Sequence, residues 1–267
     1  MKVTKKIFII ALILSLILSV SAIAAAENIT FDQSDISKDS IESTDNLGAS
    51  QDNFENTQSV SQEIDGQNDK LTAESQEVLC ENHTVEGNTF QNITDKINSA
   101  KEGDTIFLGG KNYTGNSIIL ISKSNLTIIG GSSLDDEAVA TIDFAQSASM
   151  RITASNIVIK GVKFINSRTH DGTINWKGDN GTISDCVFAN NNASNNGGAI
   201  YWRGANASIS NCAFYNNTAG SNGGAIFMFV VNSTISECEF YNNSATSNGG
   251  AINYRYGTNA TVINNEF

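Results

Sequence analysis

Three cysteines recur at one fixed spacing, Cys186, Cys212 and Cys238, while Cys80 lies far upstream. Three thiols suggest zinc or disulfide chemistry. Zinc needs about four ligands in a tetrahedron, and side chains with parallel Cβ vectors give neither that geometry nor a good disulfide. The column reads as small apolar core filler in preference to a disulfide. Carboxylates are the next resource. Hydrolysis of a glycan needs paired acids in one cleft, and a lyase needs a base beside acidic calcium ligands. Asp179, Asp185, Glu237, Glu239 and Glu266 fall in different positions, and Asp135-Asp136-Glu137 reads as a solvated loop. His83 and His170 lack partners at catalytic spacing, and His170-Asp171 reads as a loop dipeptide. No catalytic residue, metal ligand set or cofactor is assigned, and the chain reads as a non-enzyme. Recognition remains. Tyr201 and Phe227 fall in one column, with Lys177, Arg203 and Arg255 nearby and Phe229 interrupting the basic column. Aromatics beside cations stack on sugars or clasp a protein, so Tyr201, Arg203, Phe227 and Arg255 are the binding candidates.

These residues owe their columns to a repeat. Units of equal length begin at Gly172, Gly198, Gly224 and Gly250, each carrying Gly-Ala/Thr-Ile, and Ile-Ser-x-Cys-x-Phe and Asn-Asn recur in the first three. Such self-similarity marks a stacked solenoid. The unit lacks the leucine pattern of leucine-rich repeats and is shorter than helical repeats. Its segments are short and β-prone, as in Gly198–Trp202, Ala207–Ser210 and Cys212–Phe214. The expected fold is all-β, a right-handed parallel β-helix with three strands and three turns per coil. Alternation sends Ile200, Trp202, Cys212 and Phe214 inward and Tyr201, Phe227, Asn175 and Asn253 outward. The Asn-Asn pairs suit turns, because Asn tolerates left-handed backbone and stacked amides form ladders. Proline is absent altogether, which leaves Asn and Gly to supply the turns. Upstream, looser β-prone segments suggest irregular first coils. Phe90, Ile93, Ile97 and Ala100 lie at helical spacing, and Gly103 ends the run. A short amphipathic helix there caps the open end of the core. The fourth unit has one extra residue, and Asn265 stands in the cysteine column. Phe267 falls at a strand end, which leaves a sticky edge and suggests a domain incomplete at its C-terminus.

The flanking sequence sets the setting. Lys2, Lys5 and Lys6 precede an apolar run from Ile7, and Ala24-Ala25-Ala26 offers a cleavage site. Residues 1–26 therefore read as a secretory signal peptide, and the remainder as extracellular or cell-surface. Residues 27–88 read as an acidic disordered segment, too poor in apolar residues to offset its ordering entropy. From Glu27 to Glu86 there are 15 acids against Lys38 and Lys70, a charge of −13 beside −12 for the whole chain. The domain, 89–267, is thus nearly neutral and has no basic stripe for nucleic acid. Asn-x-Ser/Thr occurs twelve times; Asn206, Asn232 and Asn259 are glycosylation candidates for an exported chain.

At Asn-Gly-Gly-Ala-Ile (196–200, 222–226, 248–252) and Phe-x-x-Asn (188–191, 214–217, 240–243) the chain resembles the chlamydial polymorphic outer-membrane proteins. With Ile97–Ile106, Leu126–Gly130 and Ala140–Asp143 added, the wider pattern resembles the adhesin-like surface proteins of methanogenic archaea. The likeness covers about Thr89 to Phe267. It implies a pectin-lyase-like β-helix and attachment at a cell surface, though no autotransporter barrel or C-terminal anchor is visible here. The expected function is an adhesin-like secreted protein whose partner is a surface glycan or protein, or its own envelope. A carbohydrate-active enzyme and a structural envelope spacer are the alternatives.

Overall fold

A computed structural model describes the chain at residues 30–32 and 80–267, save 136, 146 and 147. The signal-like residues 1–26, most of the acidic segment and Asp136 lie outside the described residues. The repeat winds as a parallel β-helix. One coil runs Ile174–Trp176, Thr182–Ser184, Val187–Ala189 and Asn192–Ala193, each strand belonging to a different sheet. Each pairs in parallel with its copy in the next coil. There are four strands per coil, where the sequence suggested three. The fourth has only two residues, too few to show alternation, and it begins directly after the Asn-Asn pair read as a turn.

Four corners join the strands, and each turns on one residue with left-handed backbone. In one coil these are Asn180 (φ 57), Asp185 (φ 54), Asn190 (φ 58) and Gly197 (φ 63). The next coils place Asn206, Asn211, Asn216 and Gly223, then Asn232, Glu237, Asn242 and Gly249, at the same corners. Asn and Gly take this conformation at little cost, whereas proline, locked near φ −65°, is barred from it. The corner N–H groups still pair with the next coil, Asn190 with Tyr215 O at 3.0 Å and Gly197 with Asn222 O at 2.9 Å. The backbone ladder therefore continues around the bends.

Inside, like stacks on like. Ile128, Ile159, Ile183, Ile209 and Ile235 form one buried file. Phe164, Phe188, Phe214 and Phe240 form another, with ring centroids 5.1, 4.9 and 4.8 Å apart and nearly parallel planes. Stacked pairs of this kind add roughly 0.5–1.5 kcal/mol each beyond area burial. Trp176 lies on Trp202 at 4.1 Å, and Gly181 leaves room for both rings, since a Cβ there would overlap them. Cys186, Cys212 and Cys238 are buried and free, each Sγ lying 3.2 Å from the carbonyl oxygen two residues back. Burial, with the flanking thiols, pushes the Cys212 thiol well above its ordinary range.

Asn191, Asn217 and Asn243 are buried too. Asn191 Nδ2 donates to Asn217 Oδ1 at 3.0 Å, and Asn217 Nδ2 donates to Asn243 Oδ1 at 2.9 Å. Each also donates to a carbonyl oxygen one coil back, Phe164 and Phe188 respectively. The next amide's Oδ1 accepts the main-chain N–H of Asn191 and of Asn217. A polar file is thus carried through the core with its hydrogen bonds made.

Helix α1, Phe90–Ser99, seals the first coils with Phe90, Ile93 and Ile97. Thr89 and Asn92 cap its start reciprocally, and Lys123 Nζ bonds the carbonyl oxygens of Asn98 and Ala100 at its end. The solenoid begins earlier than Thr89. Asn82–Thr84 pairs with Thr105–Phe107, inside the stretch read as disordered. Thr30–Asp32 pairs in parallel with Ile252–Arg255. It takes the place on that sheet that the following coil takes at each earlier step, and so covers the edge of Ile252–Arg255; the bridge of Glu266 to Glu239, beside Phe267, lies on another sheet.

Candidate binding face

The first sheet of each coil carries the candidate residues. Its register stacks Arg151, Asn175, Tyr201, Phe227 and Asn253 along the outer side. Tyr201 and Phe227 do stack, 5.3 Å apart and 7° from parallel. Yet Phe227 is only 3% exposed and Asn253 only 1%. The expectation of Phe227 as an open contact is corrected: alternation sets the direction of a side chain, while accessibility depends on what else packs on that side. Asn175 Oδ1 and Asn253 Nδ2 are buried here without a hydrogen-bond partner among the described residues.

The exposed chemistry lies at the corner that follows these strands. The Arg203 guanidinium sits over the Phe229 ring at 5.7 Å, and Arg255 sits over Tyr256 at 5.2 Å. Phe229 and Tyr256 meet edge to face at 5.2 Å. Phe229 is 38% exposed and Tyr256 51%. Arg203 and Arg255 are thus brought together through two rings, while Tyr201 and Phe227 stand apart from them. Sequence reasoning took Phe229 as an interruption and missed Tyr256. A signal was present: Trp202 to Asn206 is four steps, whereas Tyr254 to Asn259 is five. The extra residue of the fourth unit falls here, and Tyr256 takes left-handed backbone, φ 58. That conformation is an outlier for a bulky side chain, and strain of this sort collects at functional sites.

The charge at this corner is lopsided. Among the described residues no carboxylate comes within ion-pair range of Arg151, Lys177 or Arg203. The acid on this corner column, Asp179, accepts the Ala205 N–H at 2.7 Å. Other repeat carboxylates serve the scaffold, Asp185 and Glu237 at left-handed corners and Glu239 as acceptor of the Tyr215 hydroxyl at 2.9 Å.

The remaining candidates scatter. Asp135 and Glu137 are exposed in a turn region. The His170 ring meets the neighbouring Asp171 carboxylate at 2.9 Å, at a site largely open to solvent. His83 departs from expectation, because it has a partner: its Nε2 lies 2.6 Å from Asp104 Oδ2. The two are distant in sequence and meet through the strand pairing of 82–84 with 105–107. Burial alone would raise the Asp104 pKa. The main-chain N–H groups of Glu81 and Lys101, with His83, outweigh it and lower the value to about 2. This clasp fastens the first coil, away from the aromatic corner. Asn206, Asn232 and Asn259 are exposed corner residues whose Nδ2 groups donate to the preceding coil at 2.8, 3.2 and 3.0 Å. A polar cleft of about 220 Å³ lies near Arg168, Asn190, Asn192, Asn216 and Thr218. No group of three or more His, Cys, Asp or Glu among the described residues is placed to hold a metal. No helix among them is long and apolar enough to cross a membrane.

No curated protein matches the chain. Residues 172–267 match a family model described as right handed beta helix region. With the register of all four sheets, that match makes the domain an all-β, right-handed parallel β-helix, with one short N-terminal helix among the described residues.

Proposed function

We propose that the chain is an exported, adhesin-like surface protein that presents its β-helix for attachment. The carrying observation is the Arg203–Phe229–Tyr256–Arg255 cluster: two guanidiniums and two exposed rings at a corner where the repeat itself varies. Aromatic rings and arginines dominate binding hot spots, and nothing in the core or the turns calls for this group. The fold is shared by adhesins and carbohydrate-active enzymes, and the structural use made of Asp179, Asp185, Glu237 and Glu239 supports the first of these. The signal-like pattern of residues 1–26, Lys2, Lys5 and Lys6 before an apolar run and Ala24-Ala25-Ala26, supports a place outside the cell. The purified protein is expected to bind cells or a glycan array and to lose that binding in Phe229→Ala and Arg203→Ala. Turnover of a polysaccharide that disappears on changing Asp135 would instead make it an enzyme. Envelope association indifferent to the corner variants would make it a structural spacer.

A further inference from the structure

Resting on that reading, we infer that the ligand of the corner cluster is an anionic glycan, engaged at the turn after the first sheet and extending along the solenoid axis. Three observations converge. The first is a file of cations: Lys177 and Arg203 stand one coil apart, and Arg255 follows two coils beyond Arg203 in the same column. Successive coils are ~4.8 Å apart, a step similar to one sugar unit in an extended chain. Lys177 and Arg203 are exposed, and neither has a carboxylate partner among the described residues. The second is the pair of rings set between the guanidiniums, Phe229 and Tyr256: each carries a guanidinium over the ring and still leaves apolar surface exposed, 38% and 51%, for the apolar side of a pyranose. The Arg203 guanidinium, lying over the Phe229 ring, keeps in-plane N–H donors for a carboxylate or sulfate. The third is the extra residue, which holds Tyr256 at φ 58. An ordinary corner asparagine or glycine would form the turn without strain but would bring no ring to Phe229.

A neutral glycan would use the rings and leave the cations idle. An acidic peptide would use the cations and have no planar, hydroxyl-rimmed face for the rings. The combination favours a sugar that carries charge. The test measures binding of the full chain to polygalacturonate, with dextran as neutral probe and poly-glutamate as acidic peptide. Polygalacturonate is expected to bind, with affinity falling as salt is raised through the physiological range. Arg203→Ala should weaken it about ten-fold or more, as loss of a charge-assisted hydrogen bond does, and Arg203→Lys should weaken it less. Tyr256→Gly should leave Tm unchanged or higher, because it relieves the left-handed tyrosine, and still weaken binding. Dextran binding as tightly as polygalacturonate would overturn the anionic ligand and leave attachment standing. Equal binding of poly-glutamate would overturn the sugar. Failure of every probe would overturn this inference, whereas the attachment reading falls only if cells and the glycan array are negative as well.

Discussion

Asn217→Ala tests whether the buried amide file holds the coils together. Asn217 Oδ1 accepts from Asn191 N at 3.2 Å and Asn191 Nδ2 at 3.0 Å, and its Nδ2 donates to Asn243 Oδ1 at 2.9 Å and Phe188 O at 3.0 Å. Alanine removes all four. The Asn191 main-chain N–H is then buried with no acceptor, and Asn191 Nδ2 keeps only the Phe164 carbonyl. An orphaned buried group costs about 1–3 kcal/mol and each of the three remaining lost bonds about 0.5–1.5 kcal/mol, so the loss should be about 5 kcal/mol. In a domain of this size that lowers Tm by on the order of 10 °C. Asn217→Asp should be worse, because it sets an oxygen against Asn243 Oδ1 and the Phe188 carbonyl. Asn242 is the control. It is exposed, and its Nδ2 reaches Asn216 at 2.7 Å, so Asn242→Gly should stay within about 0.5 kcal/mol. Urea unfolding gives the energies, and hydrogen exchange at the Asn191 amide gives the site. A loss below about 1 kcal/mol, or an Asn191 amide exchanging no faster than before, would refute the argument.

Three further outcomes are expected. Glu237 is the one glutamate at a left-handed corner of the repeat, φ 53; Glu237→Asn should stabilise by about 1 kcal/mol, and an unchanged or lowered Tm would count against the corner account. Gly181→Ala drives a methyl into Trp176 and Trp202, at a cost of about 1–3 kcal/mol, and Trp176→Met should restore part of it in thermal melts. Asp104 has its pKa lowered to about 2, so its contribution is complete above the unfolded value near 4 and is lost as pH falls through about 2. An acid titration of Asp104→Asn should show a flatter loss of stability over that window; an unaltered acid limb would remove the clasp from the explanation.

The core was legible because a strict period converts sequence spacing into spatial register. Once Ile174, Ile200 and Ile226 are seen as one column, their stacking and the inward set follow from alternation. The same logic went too far at Phe227 and Asn253, which point outward yet are buried. Burial is a property of neighbours, and a single strand's pattern carries only direction. Asn192–Ala193 escaped notice because two residues have no period to detect. The His83–Asp104 contact and the pairing of Thr30–Asp32 escaped for another reason: each involves a segment outside the regular repeat, and no spacing rule reports such meetings. Tyr256 was hidden in plain view, since an insertion in a repeat is itself a message.

Thr30–Asp32 also has a bearing on how the molecule comes together. Its register partner for Thr30 is Asn253, close to the opposite end of the chain. Every other strand among the described residues finds its neighbour within about one coil, so those contacts form locally and propagate from coil to coil. This one closes a loop spanning most of the chain, and it has nothing to pair with until Ile252–Arg255 is in place. The segment is synthesised among the first and seated among the last. Its pairing therefore waits on the making of Ile252–Arg255, whatever the order in which the coils between them form.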